Sequence, residues 1–228
     1  MEGKGIKTFR TEQQLPNKEQ KKRTKRQQEI FRYVCNASSL SLSGITIRTM
    51  DDARVVLEAL QQPTTRPTTL YIDHFTLGDL FFAELAPIVV ERHSHRISRA
   101  RFCDGTIGIV GVKAISSIIK DCRLLGGLLF DCSSWCEASH LFVAQALHYL
   151  PHLQSLTLRQ VHNMTQRAGQ TYSTAVAQKV QYLSLQHCDS CDRGVGSFLV
   201  GLRENLFLRT LALEDCRLGI LSALTLSQ

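Results

Sequence analysis

The sequence predicts an α/β fold: a right-handed solenoid in which a short strand and a helix alternate along the chain. Two observations lead to this prediction. A nine-residue pattern, apolar-x-x-Leu-x-Leu-x-x-Cys, occurs in VQYLSLQHC, residues 180–188, and again in LRTLALEDC, residues 208–216. Within such units the spacing of the apolar residues changes from the period of a strand to that of a helix. The strands are therefore expected to form one parallel sheet on a concave side, with the helices on the convex side.

Earlier segments extend the repeat towards the N-terminus. LQSLTLRQV begins at Leu153, LGGLLFDCS at Leu125 and ISRARFCDG at Ile97, so that consecutive units start 27 or 28 residues apart. Two degenerate copies, PTTLYIDHF from Pro67 and LSGITIRTM from Leu42, have spacings of 30 and 25 residues. About seven units account for residues 40–228. The last is incomplete, because the sequence stops within ILSALTLSQ without a polar cap, which indicates a fragment or an end that a partner covers.

Each unit is expected to open with a strand whose alternate side chains point into the core. The predicted inward positions are Ile45, Ile47, Leu70, Ile72, Ala100, Phe102, Leu128, Phe130, Leu156, Leu158, Leu183, Leu185, Leu211 and Leu213. The first helix after a strand is predicted in DDARVVLEAL, where Asp51 or Asp52 would be the N-cap. Unit five has a weaker helical stripe in VHNMTQRAGQTYSTAVAQ, so that a bulge or a loop is expected there.

This pattern resembles that of the leucine-rich repeat family, in its long, ribonuclease-inhibitor-like subclass. The resemblance covers about residues 40–228, is strongest from Leu153 onward, and departs from the family pattern at Pro67, Ala100 and Gly105. It implies a horseshoe-shaped solenoid whose concave sheet binds a protein. The segment ENLFLRTLALEDCRLG, residues 204–219, is also similar to the N-terminal repeats of centrosomal leucine-rich repeat proteins, which implies a location at the centrosome or the base of the cilium.

The positive charge of the chain is concentrated before the repeats. Residues 1–35 contain ten Lys or Arg and four acidic residues, whereas the remainder is nearly balanced. Residues 1–39 are interpreted as a basic N-terminal arm with a capping helix, in which Ile30, Phe31 and Val34 would dock on the first unit. That docking would leave a basic cluster free to contact RNA, a nuclear import receptor or an acidic partner. The cluster comprises Lys21, Lys22, Arg23, Lys25 and Arg26.

The cysteines raise the question of a metal or redox site. Cys188 and Cys191 form a C-x-x-C pair beside His187, but a zinc site needs a fourth ligand and His187 would point away from Cys188. The ninth position of each unit offers another account, because a small or apolar side chain turns inward there as the chain leaves the strand. These positions are Met50, Phe75, Gly105, Ser133, Val161, Cys188 and Cys216. Core packing is therefore the favoured interpretation, and only Cys191 is left without a role.

Other sites of chemistry are not indicated. The pair Cys132 and Cys136 in CSSWC flanks a turn at Trp135, and core packing is favoured there too. The chain has no G-x-S-x-G motif, and CDGTIGIVGVKA lacks the G-K-[ST] of a phosphate-binding loop. We therefore expect no enzyme activity and no cofactor. Eight cysteines without a secretory h-region favour reduced thiols and an intracellular location, in the cytoplasm, on the cytoskeleton or in the nucleus, and no membrane span is expected.

The outward side chains of the strands are the expected binding surface. They form a mixed ladder that suits a polar protein partner better than a uniformly negative nucleic acid. The predicted residues are Arg48, Tyr71, Asp73, Arg99, Arg101, Asp131, Arg159, Gln186 and Glu214. The resulting hypothesis is a non-enzymatic protein-interaction scaffold of unspecified oligomeric state. The alternatives are a ribonucleoprotein or nuclear component anchored by the basic arm and, with less support, a GTPase regulator, because the leucine-rich repeat activators of Ran are markedly acidic.

Overall fold

The fold class predicted from the repeat is confirmed. A computed structural model describes residues 23–42, 47, 49–73, 78–103, 106–188 and 192–227. In these residues seven parallel strands form one sheet in the order of the chain, and eight α-helices alternate with them. The sheet is open, with its first and last strands at the two edges. This is the arrangement of an α/β solenoid, in which each unit packs against the next.

The elements follow one another with similar lengths. The strands are β1 (Ser39–Ser41), β2 (Thr69–Asp73), β3 (Arg99–Cys103), β4 (Gly127–Asp131), β5 (Ser155–Arg159), β6 (Tyr182–Gln186) and β7 (Thr210–Glu214). The helices are α1 (Lys25–Asn36), α2 (Met50–Leu60), α3 (Gly78–Arg92), α4 (Ile109–Asp121), α5 (Glu137–Leu147), α6 (Gln166–Val176), α7 (Asp192–Val200) and α8 (Ile220–Leu226), and a short 3₁₀ helix (Gly201–Glu204) follows α7. No helix in these ranges is both long and apolar enough to cross a membrane.

The predicted position of the first strand is wrong. The structure places β1 at Ser39–Ser41, where Leu40 pairs with Leu70 of β2, and the predicted inward residue Ile45 lies outside the described residues. The spacing between the first two units is 30 residues, as the hydrogen bond from Thr68 Oγ1 to the Ser38 carbonyl shows. The first unit was misplaced because SLSL and ITI both alternate like a strand, and it is Ser39–Ser41 that pairs with β2.

The core lies between the sheet and the helices. The predicted inward residues of β2 to β6 are all buried, whereas Leu211 and Leu213 of β7 are partly exposed. Aromatic rings continue from one unit to the next inside this core, with centroid distances of 5.7 Å between Phe102 and Phe130 and 5.3 Å between Phe130 and Trp135. Trp135 and Cys132 are buried, as predicted, but Cys136 is exposed, so core packing is wrong for that cysteine. Ile30 and Val34 of α1 are also buried, so that this helix covers the first unit.

The turn after each strand explains which ninth positions are buried. Gln160, His187 and Asp215 have positive φ angles of 51°, 53° and 48° directly after β5, β6 and β7. This turn directs the next side chain inward, so that Cys188 is buried as predicted. In unit four Cys132 follows β4 directly and fills the inward position, which leaves the predicted Ser133 exposed. That prediction failed because the inward side chain of unit four follows the strand directly. In units five to seven one turn residue stands between the strand and the inward side chain.

The helix of unit five and the N-terminus of α2 also differ from the predictions. Unit five contains a regular helix, α6, capped by Thr165, and not a bulge or loop. Its apolar stripe is weak because small residues let α6 approach α7 closely: a Cβ on Gly169 would meet the Gly194 carbonyl. The N-cap of α2 is Thr49, whose hydroxyl accepts from the Asp52 amide, and not Asp51 or Asp52.

Carboxylates of one unit cap the helix of the next. Asp79, in the first turn of α3, accepts at 2.7 Å from the Gly108 amide at the start of α4. Asp192, in the first turn of α7, accepts from the amides of Gly219, Leu221 and Ser222 at 3.0 to 3.1 Å. Burial acts to raise the pKa of Asp192, but its hydrogen bonds from Ser222, Leu221 and Gly219 outweigh this and hold it below the ordinary value. These contacts fix neighbouring units relative to each other.

Candidate protein-binding surface

The sheet face that lies away from the helices, here called the concave face, carries three rows of side chains. The strand register brings equivalent positions of neighbouring strands side by side. Row one contains Ser39, Thr69, Arg99, Gly127, Ser155, Tyr182 and Thr210. Row two contains Ser41, Tyr71, Arg101, Leu129, Thr157, Ser184 and Ala212. Row three contains the last residue of each longer strand: Asp73, Cys103, Asp131, Arg159, Gln186 and Glu214.

A hollow of about 750 Å³ opens in the middle of the concave face. It forms at Gly127, where row one has no side chain between Arg99 and Ser155. A Cβ on Gly127 would meet only Arg99 Cγ, at 3.6 Å, so the space is open. The lining side chains combine apolar, aromatic, hydroxyl and basic groups. They include Tyr71, Arg99, Arg101, Leu124, Leu129, Gln154, Ser155, Thr157 and Tyr182. We call this feature the Gly127 hollow.

The Gly127 hollow is basic. Arg99 and Arg101 line it, and no aspartate or glutamate of the described ranges does. The guanidinium of Arg101 is held from one side, because its Nε lies 3.0 Å from Oδ1 of the buried Asp73. Arg99 is exposed and has no ion pair among the described residues. The hollow therefore presents one exposed arginine and one ion-paired arginine beside apolar and aromatic surface.

The predicted binding residues divide according to their position on the concave face. Tyr71, Arg99 and Arg101 are brought together at the Gly127 hollow. Arg159, Gln186 and Glu214 lie side by side in row three, on β5, β6 and β7. They do not line the hollow. Arg48 lies outside the described residues.

Two predicted binding residues are buried, which corrects the expectation that they face a partner. Asp73 is only 6% exposed and pairs with Arg101, as described above. Asp131 is 5% exposed, and its Oδ1 accepts from the Ser133 amide at 2.9 Å. Both carboxylates end their strands, and the chain turns directly after Asp131. Their role in this structure is to hold Arg101 and the turn after β4.

Several residues of the Gly127 hollow were not predicted as binding residues. Gly127 and Tyr182 belong to row one, of which only Arg99 had been selected, and Leu124 precedes β4 in a turn. The omission has a simple cause: two outward positions were counted on each strand, whereas the five-residue strands have three. Counting from the first residue of each strand would have identified Gly127 and Tyr182. The significance of Leu124 could be seen only in the structure.

The basic arm is less free than predicted. Arg23 Nη2 lies 2.8 Å from Oε2 of Glu58 in α2, and its guanidinium also lies over the Phe31 ring at 3.9 Å. Arg26 lies 3.6 Å from the buried Asp52. These two arginines thus connect the arm to the first unit, which contradicts the expectation of an unengaged cluster. Lys25 is exposed at the start of α1, and Lys21 and Lys22 lie outside the described residues.

The cysteines do not gather into a site in the part of the chain that the structure describes. No group of three or more His, Cys, Asp or Glu residues there could hold a metal ion. Burial raises the pKa of Cys103 to about 11, which keeps this thiol protonated and unreactive at neutral pH. Cys188 is also buried, while His187 lies 3.5 Å from Asp215 in an exposed pair. Cys191 lies outside the described residues, so its role stays open.

Comparison with known proteins does not extend these observations. No protein-family model matches the chain, and a search of curated proteins finds no match. The Gly127 hollow is lined by two tyrosines and two arginines, which are residue types enriched where protein interfaces gain their affinity.

Proposed function

We propose that this chain is a leucine-rich repeat interaction scaffold that binds a protein partner on its concave face, with the Gly127 hollow at the centre of the contact. The observation that carries the proposal is the Gly127 hollow itself. Solenoids present extended surfaces, and binding energy concentrates where aromatic and arginine side chains surround a pocket that a partner can fill. Tyr71 and Tyr182 lie on opposite sides of Gly127, on β2 and β6, and Arg99 and Arg101 lie between Tyr71 and Gly127.

The partly exposed apolar groups of the hollow support the same proposal. Leu124 is 49% exposed and Tyr182 is 43% exposed. Covering such side chains with a partner would remove apolar surface from water, at about 25 cal/mol for each Å² buried. Single exposed apolar residues are ordinary, but here they surround one cavity.

An intracellular location is part of the proposal. The seven cysteines in the described residues are all free thiols, which fits a compartment that keeps cysteine reduced. The resemblance of residues 204–219 to centrosomal leucine-rich repeat proteins favours the cytoskeleton, at the centrosome or the base of the cilium. The basic N-terminal segment also fits a location in the nucleus, because clusters of Lys and Arg act as nuclear import signals.

A substitution that fills the hollow tests the proposal. Gly127→Trp should occupy the Gly127 hollow without disturbing the strand, because the nearest atom to the new Cβ is 3.6 Å away. Thr210→Trp is the matched control, since Thr210 is exposed in row one three strands away. The wild-type chain and both variants would be used to capture partners from cells, and each captured protein would then be purified and titrated directly.

We expect the capture to yield a partner that binds the wild-type chain and the Thr210→Trp variant with similar affinity. Its affinity for Gly127→Trp should be reduced by about a hundredfold, the effect of losing one central contact. Circular dichroism and urea unfolding would establish that both variants remain folded. Full binding to the folded Gly127→Trp variant would show that the partner does not use the hollow, and the proposed site would be wrong.

A further inference from the structure

We infer that the Gly127 hollow recognises an acidic residue next to a large apolar or aromatic residue in an extended segment of the partner. This inference rests on the proposed function and specifies the chemistry of its ligand. Two arginines line the hollow, and the carboxylate of Asp73, which does not line it, is paired with Arg101. The charge complementary to Arg99 therefore has to come from the partner. A carboxylate is the group that an arginine binds with two parallel hydrogen bonds.

The two arginines have different roles. Arg101 is positioned by Asp73, whose buried carboxylate lies 3.0 Å from the Arg101 Nε. This ion pair offsets the charge of Arg101 and fixes its orientation. Arg99 has no ion pair among the described residues and is exposed one residue before the buried Ala100. Arg99 is therefore the group that binds the carboxylate of the partner, and Arg101 lies beside it, held in place by Asp73.

The apolar part of the ligand would lie on β4 to β6, beside Arg99 of β3. Leu124 before β4, Leu129 on β4 and Tyr182 on β6 provide exposed or partly exposed apolar surface there. The hydroxyls of Ser155 and Thr157 lie on β5, between β4 and β6, and can hydrogen-bond to the backbone of an extended segment. A cavity of about 750 Å³ is large enough for two side chains and not for a folded domain. The expected ligand is thus a short segment of chain.

Peptide selection tests this chemistry and does not require the natural partner to be identified first. Random 12-residue peptides displayed on phage would be selected on the full chain, and those that also bind the Gly127→Trp variant would be discarded. We expect the remaining peptides to contain Asp or Glu within two positions of Leu, Met, Phe, Tyr or Trp. Each would be synthesised in two versions, one with the acidic residue and one with the corresponding amide.

Fluorescence anisotropy would then measure both versions against Arg99→Gln and the control Arg209→Gln, an exposed arginine just before β7. Replacing the carboxylate by an amide should weaken binding to the wild-type chain by about tenfold. Arg99→Gln should weaken binding of the acidic peptide by the same factor and leave binding of the amide version unchanged. Arg209→Gln should change the affinity for neither peptide.

Selected peptides that lack an acidic residue, or a carboxylate whose loss has no effect on binding, would overturn the inference. The same conclusion would follow if every selected peptide also bound Gly127→Trp. Either result is distinguishable from failure of the proposed function, because the capture experiment reports separately whether the natural partner requires the hollow.

Discussion

At the scale of single residues, His140 shows how strongly this core constrains a polar group. The side chain is fully buried between Trp135 and Tyr172, at ring-centroid distances of 5.3 Å and 6.1 Å. Its Nε2 donates to the His162 carbonyl at 2.8 Å, which joins unit four to unit five. Burial lowers the pKa of His140 to about 4, since a buried imidazolium would lose its hydration.

The lowered pKa predicts that the protein loses stability in mild acid. The unfolded chain takes up a proton at His140 near pH 6.5, whereas the folded chain resists it until about pH 4. The stabilising contribution is complete above pH 6.5 and falls by about 3 kcal/mol as the pH drops to 4. Urea unfolding at pH 7, 6 and 5 should therefore show a shallower decline for His140→Gln than for the wild-type chain. Equal slopes would contradict the assignment. Burial also lowers the pKa of His93. The unfolding free energy of the variant should therefore still decline somewhat as the pH falls.

Arg99 and Arg101 differ in what they contribute to stability, although they are two residues apart on the same strand. Arg101→Gln removes the ion pair of the buried Asp73 carboxylate and should cost about 1–3 kcal/mol of unfolding free energy. Arg99→Gln removes an exposed charge and should change stability by less than about 0.5 kcal/mol. Chemical denaturation of the two variants measures the difference. If Arg99→Gln were as destabilising as Arg101→Gln, the assignment of Arg101 as the ion-paired arginine would be wrong.

At the scale of elements, contact between neighbouring helices determines where glycine is required. In α7, a Cβ on Gly194 would overlap the Met164 carbonyl, whereas a Cβ on Gly196 would meet its nearest neighbours at 3.5 Å. Helix propensity favours alanine over glycine at both positions by up to about 1 kcal/mol. Only the packing distinguishes them.

This contrast predicts opposite outcomes for the same substitution. Gly194→Ala should reduce the free energy of unfolding by about 1–3 kcal/mol, because the backbone of the α6 N-terminus has to move. Gly196→Ala should be neutral or stabilising by up to about 1 kcal/mol. Thermal unfolding of the two variants would measure this. A stable Gly194→Ala variant would mean that α6 and α7 lie farther apart than the structure places them.

At the scale of the whole molecule, the two ends of the sheet differ in how well they are covered. Helix α1 buries Ile30 and Val34 against the first unit. In the last unit no residue of β7 is buried, and Leu206 and Ile220 are 92% and 78% exposed. A repeat protein gains stability from the interfaces between its units, so the least covered unit opens first.

Hydrogen exchange should reveal this gradient. The amides of Leu211 and Leu213 in β7 should exchange at least about tenfold faster than those of Leu156 and Leu158 in β5. Native-state exchange followed by mass spectrometry resolves the two segments. Uniform protection from β5 to β7 would show that the chain unfolds only as a single unit.

The periodicity of the sequence was sufficient to predict the fold class. Repeated Leu-x-Leu pairs define which face of each strand is buried, and this alone predicts a parallel sheet with helices on one side. The position of the first unit could not be predicted as reliably, because SLSL and ITI alternate equally well and the choice depends on pairing with β2.

The candidate site was predicted only in part, for a different reason. Alternation correctly assigned Tyr71, Arg99 and Arg101 to the concave face, but it treats every outward position as equivalent. Asp73 is buried and paired with Arg101, although alternation places it among the outward residues. The hollow exists because one row position, Gly127, has no side chain, and its effect depends on what the neighbouring strands place beside it. Such a feature depends on which residues the strand register places side by side, and the alternation within one strand does not contain that information.

The central claim is that a partner contacts the concave face at the Gly127 hollow, and site-specific photocrosslinking in cells tests it most directly. The photoreactive residue benzoylphenylalanine would replace Tyr182, which lines the hollow, or Tyr149, a somewhat more exposed tyrosine just after α5 on the helical side. We predict that illumination links a partner protein to position 182 and not to position 149. Crosslinking of the same partner at position 149 alone would contradict the account.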